Sequence, residues 1–278
     1  IYTGEGQDLG QFWAELNVGN AKVKKTTANE IVTNGNAMYS IVGATFGIFL
    51  DQNCSNQIGT LTTNENGDTN EVEVTAGTVY IKELSAPKGY KLDTTVHSLK
   101  VEAGKTVTLN VSDVPKVTET LVDLFKIDME TGKATAQGNA ALSGAEFTWH
   151  YYDGFYTKDN LPEKATRTWV IKTVAEKDSD GNSHYVTKLT DACKVSGDAF
   201  YTQNEKSVLP LGTLTVEETK APDGYLLDGA YMQAGDSAEQ IKGMYLTQIT
   251  EDGELAVLSG SNQHSVLDQV IRGGVKIQ

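Results

Sequence analysis

Glu83-Leu-Ser-Ala-Pro-Lys-Gly-Tyr-Lys-Leu-Asp93 and Glu218-Thr-Lys-Ala-Pro-Asp-Gly-Tyr-Leu-Leu-Asp228 are one pattern written twice in the chain. Each copy ends an alternating apolar run, Thr78–Glu83 (TVYIKE) and Gly212–Glu217 (GTLTVE), and alternation of this kind is the mark of a half-buried strand. The pattern therefore marks a domain that occurs twice, with a glutamate aimed into each core. A carboxyl taken out of water needs a partner or a task.

The duplication spreads outward from the motif. Lys22-Val-Lys-Lys25 matches Asp123-Leu-Phe-Lys126, and Gly43-Ala-Thr-Phe46 matches Gly144-Ala-Glu-Phe147, both offset by 101 residues. The two glutamates are 135 residues apart, so the second copy carries about 34 extra residues, placed between Tyr151 and Phe200. Val111-Ser-Asp113 matches Val266-Leu-Asp268 at an offset of 155, which puts a second insertion near Tyr231–Thr250.

Short strands separated by turn dipeptides (Asn66-Gly67, Lys88-Gly89, Asp180-Gly181, Asp223-Gly224) predict an all-β chain. The expected fold is two tandem Ig-like antiparallel β-sandwiches, the second enlarged. Residues 1–20 form an N-terminal extension with a short helix, where Leu9, Phe12, Trp13 and Leu16 share one face. Residues 21–116 make the first domain and 117–272 the second. Residues 273–278 (GVKIQ after Gly273) read as the start of a third copy, so the chain reads as a piece of an array.

Composition narrows the function. A net charge of −14 argues against nucleic acid, whose phosphates need a basic face, and against anionic membranes. No apolar run reaches the roughly 18 residues of a membrane helix, so no membrane insertion is expected. Cys54 and Cys193 fall in different copies, make no disulfide framework and match no zinc spacing. Asn64–Asp68 and Asp178–Asn182 resemble calcium loops but lack the later bidentate glutamate, so they read as hairpin turns. No metal and no cofactor is expected. The four histidines are scattered, and no carboxylate pair with a recognisable cleft suggests a glycosidase.

Strand parity gathers the candidate site. Val23 and Lys25 share a face, as do Val122, Leu124 and Lys126, so each first strand sends a lysine inward. Leu109, Val111 and Asp113 share a face, as do Val266 and Asp268, so each closing strand sends an acid inward, whereas Asn110 points outward. Burial favours the neutral forms of all three groups. A neutral amine held against a protonated carboxyl attacks it and expels water, with a glutamate moving the protons. That is a single-turnover self-crosslinking step and not an enzyme cycle.

These residues resemble the Cna B-type domains of Gram-positive surface proteins and SpaA-type pilins. The Glu-Thr-x-Ala-Pro-x-Gly-Tyr stretch is specific in the second copy, and Leu84 and Ser85 depart from it in the first. Thr27 also stands where relatives often carry an acid, and Asp113 and Asp268 stand where many carry Asn. The resemblance implies an intramolecular isopeptide bond in each domain, Lys25 to Asp113 assisted by Glu83, and Lys126 to Asp268 assisted by Glu218. It implies an extracellular, wall-anchored protein, although no Leu-Pro-x-Thr-Gly anchor motif is present. The implied role is a structural stalk or pilus shaft, with neighbouring domains, other pilin subunits or a host-surface ligand as partners. The alternative is an adhesin that binds glycan or matrix protein through the aromatics of the insertion: Tyr151, Tyr152, Phe155, Tyr156, Trp169, Tyr185, Phe200 and Tyr201.

Overall fold

A computed structural model describes residues 17–118, 123–234, 240–250 and 263–272. The expected helix at Leu9–Leu16 and the start of a third copy at 273–278 lie outside the described residues. The chain forms two compact units. Their division does not follow the repeat. Segments 27–40 and 88–90, which belong to the first copy in sequence, cluster with the second unit, while 17–26, 41–87 and 91–113 make the first.

The first unit holds β1 (Val18–Thr27), β2 (Thr45–Phe49), β3 (Gln57–Thr62), β4 (Val72–Thr75), β5 (Gly77–Ser85), β6 (Val96–Val101) and β7 (Thr106–Asp113). They form two sheets, ordered β4-β1-β7 and β3-β2-β5-β6. Strict alternation assigns the faces: Ala21, Val23 and Lys25 of β1, Val79, Ile81 and Glu83 of β5, and Val111 and Asp113 of β7 are buried. Phe46, Ile48, Leu61, Leu99 and Val101 complete this core. The two supposed calcium loops are turns closed by their own side chains. Asn64 Oδ1 accepts from the backbone N–H groups of Asn66 and Asp68, and Asp178 Oδ1 accepts from those of Asp180 and Asn182.

The second unit repeats this plan with added strands: β8 (Val117–Thr118), β9 (Asp123–Asp128), β10 (Glu146–Tyr152), β11 (Arg167–Lys172), β12 (Val174–Lys177), β13 (Ser183–Thr187), β14 (Lys194–Gly197), β15 (Tyr201–Gln203), β16 (Lys206–Pro210), β17 (Gly212–Lys220), β18 (Tyr225–Ala234), β19 (Gln240–Lys242), β20 (Tyr245–Ile249) and β21 (Gln263–Val270). The sheets run β14-β11-β10-β17-β20 and β12-β13-β9-β21-β18-β19, with a small sheet β15-β16-β8. β9 and β21 are parallel neighbours, with Lys126 opposite Val266 and Asp128 opposite Asp268. The insertions thus lengthen sheets at their edges. The β12–β13 hairpin extends the β9 side, and β19 extends the β18 side. The single described helix, Glu30–Thr33, is one turn long and belongs to this unit.

Half of the aromatics of the insertion belong to the core. Tyr151, Tyr152, Trp169 and Tyr201 are buried, and Phe155 is the exposed member of the eight. Tyr151 and Trp169 both meet Tyr201 edge-on, at ring separations of 5.3 and 6.3 Å. The Tyr151 hydroxyl donates to the Leu211 carbonyl at 2.6 Å and accepts from Asn36 Nδ2 at 2.8 Å, so its polar end is satisfied. These four buried rings therefore do not present a binding face.

Candidate crosslinking sites

In the first unit, Lys25 on β1, Glu83 on β5 and Asp113 at the end of β7 meet in the core. Lys25 Nζ donates to Glu83 Oε1 at 2.6 Å and lies 2.5 Å from Asp113 Oδ2. All three residues are at most 2 % exposed. In the second unit Lys126 Nζ reaches Glu218 Oε1 and Oε2 at 2.7 and 2.6 Å and lies 2.5 Å from Asp268 Oδ1. The structure therefore brings together all six residues singled out in the sequence, three in each unit. Asn110, excluded by parity, is exposed.

The approach of amine to aspartate is close but not that of a hydrogen bond. Asp113 and Asp268 are each paired with their lysine at this distance, so the acid and the amine are held in direct contact. A carboxylate taken out of water is costly even beside a cation, and the protonated acid relieves that cost. Burial accordingly pushes the Glu83, Asp113 and Asp268 carboxyls above the ordinary range, and it pushes Glu218 up to about 8.

Two features of the site were not read from sequence. The first is an aromatic floor: Lys25 Nζ lies 4.9 Å from the centroid of Phe46, and Lys126 Nζ lies 5.6 Å from that of Phe147. These are the last residues of the repeated Gly-Ala-x-Phe, so the signal was present in the duplication. The second is a β-bulge. Phe46 pairs Glu83 while Thr45 pairs Ser85, and Phe147 pairs Glu218 while Glu146 pairs Lys220. The extra residue, Leu84 or Thr219, follows the glutamate in both copies, where it kinks the strand beside the lysine.

The rest of the motif is scaffold, and it differs between copies. Gly89 and Gly224 hold positive φ angles of 83° and 86° in the turn, a conformation that favours glycine. Tyr225 donates its hydroxyl to Asp128 Oδ2 at 2.8 Å, and Gln137 and the Thr131 N–H serve the same carboxyl. Although burial opposes it, these bonds hold Asp128 below the usual carboxylate range. The first copy has Thr27 at that position, and its Tyr90 instead packs edge-on against Tyr39 at 5.8 Å.

Other features carry no comparable chemistry. A cleft of about 920 Å³ in the second unit is lined by Lys194, Phe200, Gln203 and Lys206, and no triad residue lines it. Cys54 sits in a surface turn and Cys193 is buried, both as free thiols. No helix among the described residues is long and apolar enough to cross a membrane.

Two β-sandwich units, each with a lysine, a glutamate and an aspartate converging in a dry core, define a class of tandem prealbumin-like modules. The chain belongs to the SpaA prealbumin-like fold domain family, whose model matches residues 19–115 and 127–242. It is 35% identical over 88 residues to the trypsin-resistant surface T6 protein of Streptococcus pyogenes serotype M6, a match that covers 28% of this chain and 16% of that protein. The chain thus aligns with less than a fifth of that relative. Its fold is similar to that of the Bacillus anthracis TIE protein (TM-score 0.51, 22% identity, 92% of this chain and 34% of that one). A looser likeness, TM-score 0.46 at 14% identity, links 92% of the chain to 99% of a C-terminal fragment of the pilus adhesin SpaC from Lactobacillus rhamnosus GG.

Proposed function

We propose that this chain is a stalk or shaft segment of a Gram-positive cell-surface protein or pilin, stapled in each unit by a self-made Lys–Asp isopeptide bond. The observation that carries the reading is the 2.5 Å approach of Lys25 and Lys126 to the buried carboxyls of Asp113 and Asp268, in cores that also hold a glutamate. The name of the T6 relative, a trypsin-resistant surface protein, accords with a stapled module at a cell surface.

The reaction follows from the geometry. The lone pair of Lys25 Nζ attacks Cγ of protonated Asp113, forming the C–N bond and a tetrahedral centre. Glu83, held protonated by burial, gives its proton to the departing hydroxyl and takes one from the nitrogen in its place. The C–O bond breaks, water leaves and an amide remains. Lys126, Glu218 and Asp268 do the same in the second unit. The polar groups are supplied by the fold, so no orientation must be found at the moment of reaction. The Phe46 and Phe147 rings exclude water from the amine.

Such a bond joins the first strand to the last, so it bridges the sheet in which both lie. Pulling or local opening must then stretch a covalent link and not only a ladder of hydrogen bonds. This is the property a stalk needs. The adhesin reading receives less support, because four of the eight aromatics it relied on are buried.

Tryptic digestion followed by peptide mass mapping tests the reading. Branched peptides joining the Lys25 and Asp113 segments, and the Lys126 and Asp268 segments, are expected. Linear peptides containing unmodified lysine at both positions would refute it.

The unreacted triad also makes a pH prediction. The Glu218 carboxyl stands near 8 when folded against an ordinary 4.5, so the folded state binds the proton more tightly than the unfolded chain. Its contribution to stability is complete below about 4.5 and is lost as pH rises to about 8. In an Asp268→Ala chain the second bond cannot form and burial still raises Glu218, so the unfolding midpoint of the second unit should fall as pH rises above about 4.5. Fluorescence of Trp149 and Trp169 reports this unit. A flat midpoint would contradict the protonation assigned to Glu218.

A further inference from the structure

The motif's last residue, Asp93, has no part in the reaction as described, yet it touches the group that moves the protons. Its backbone N–H donates to Glu83 Oε2 at 2.8 Å, while Glu83 Oε1 accepts from Lys25 at 2.6 Å. One carboxyl oxygen is thus anchored and the other is presented to the amine. Asp93 is itself braced: its Oδ1 accepts the Thr95 N–H at 2.9 Å, and its Oδ2 lies 3.3 Å from His97 Nε2. A side-chain oxygen that accepts the N–H two residues on closes an Asx turn and fixes the local backbone.

We propose that Asp93 is a positioning residue for the first crosslink, its closed turn fixing the N–H that orients Glu83 between Lys25 and Asp113. The proposal rests on the crosslinking reading above. Without the anchor the Glu83 side chain gains rotamers in which neither oxygen meets the amine. A proton shuttle that is only part of the time in place slows the reaction without abolishing it.

The test is a refolding time course of the full chain, quenched at intervals and mapped by peptide mass so that the two bonds are followed separately. Asp93→Ala, which removes the acceptor for the Thr95 N–H, should slow the Lys25–Asp113 bond on the order of tenfold, the value of one charge-assisted hydrogen bond. The Lys126–Asp268 bond should form at its usual rate, an internal control for refolding. Asp93→Asn keeps the acceptor and should restore the first bond to within about twofold of wild type. Should Asp93→Ala fail to fold, Thr95→Pro removes the same turn hydrogen bond from the donor side, and the same slowing is expected. A first bond that forms at the wild-type rate in the folded Ala or Pro chain overturns the proposal. So does an Asn chain as slow as Ala. Absence of any bond in the wild-type chain would instead overturn the crosslinking reading itself, so the two failures are distinguishable.

Discussion

Lys126→Met should lower the unfolding midpoint of the second unit by on the order of 10–20 °C. Methionine keeps most of the apolar stem against Phe147 but cannot form the amide, so the change isolates the crosslink more than the packing. The bond would close a loop of 142 residues, from Lys126 to Asp268. In the chain-entropy model a covalent link over such a loop restricts the unfolded state by roughly 5 kcal/mol. For a unit of this size each kcal/mol moves the midpoint by about 2–4 °C. The remaining Glu218 and Asp268 carboxyls can protonate and share a proton, which limits any further loss. Differential scanning calorimetry measures the effect. A midpoint within about 2 °C of wild type would mean that Lys126 is only one member of a buried ion cluster, whose replacement by an apolar side chain is often near neutral.

Glu218→Gln should slow formation of the second bond by a factor of about 10²–10⁴, the usual worth of a positioned general acid–base group. The carboxamide matches the shape of the glutamate and can still meet the amine, but it cannot take and return a proton. The substitution leaves Lys126 and Asp268 in place, so the reacting pair is unchanged and only the shuttle is lost. Freshly purified Glu218→Gln protein should therefore carry the first bond without the second. Peptide mapping would find Lys126 unmodified. Bond formation at the wild-type rate would remove Glu218 from the mechanism and leave it as a charge partner of Lys126.

Much of this site was legible because both kinds of evidence it needs are periodic. Alternation along TVYIKE put Glu83 on the face of Val79 and Ile81, and the same rule put Lys25 beside Val23 and Asp113 beside Val111. The repeat then doubled each assignment, and strand parity separated Asp113 from the outward Asn110. The bulge after Glu83 and Glu218 was not legible, because Leu84 and Thr219 are ordinary strand residues and a bulge is defined by the partner strand. The role of Phe46 and Phe147 was visible only as repetition, since their place under the amine depends on cross-sheet packing. The aromatics of the insertion were ambiguous in another way. Sequence shows eight rings near one another but cannot tell whether Tyr151 and Trp169 face a ligand or Tyr201. Nor does a repeat reveal that segments 27–40 and 88–90 cluster with the second unit, because alignment follows ancestry and not contact.

The central claim is that two amides have formed inside the folded chain. Intact-mass measurement of the purified, denatured protein tests it most directly. Each bond expels one water, so the mass should fall short of that of the plain sequence by two waters, and by one in the Lys126→Met chain after allowing for the substitution. A wild-type mass equal to that of the plain sequence would contradict the account, leaving both triads as buried, unreacted ion clusters.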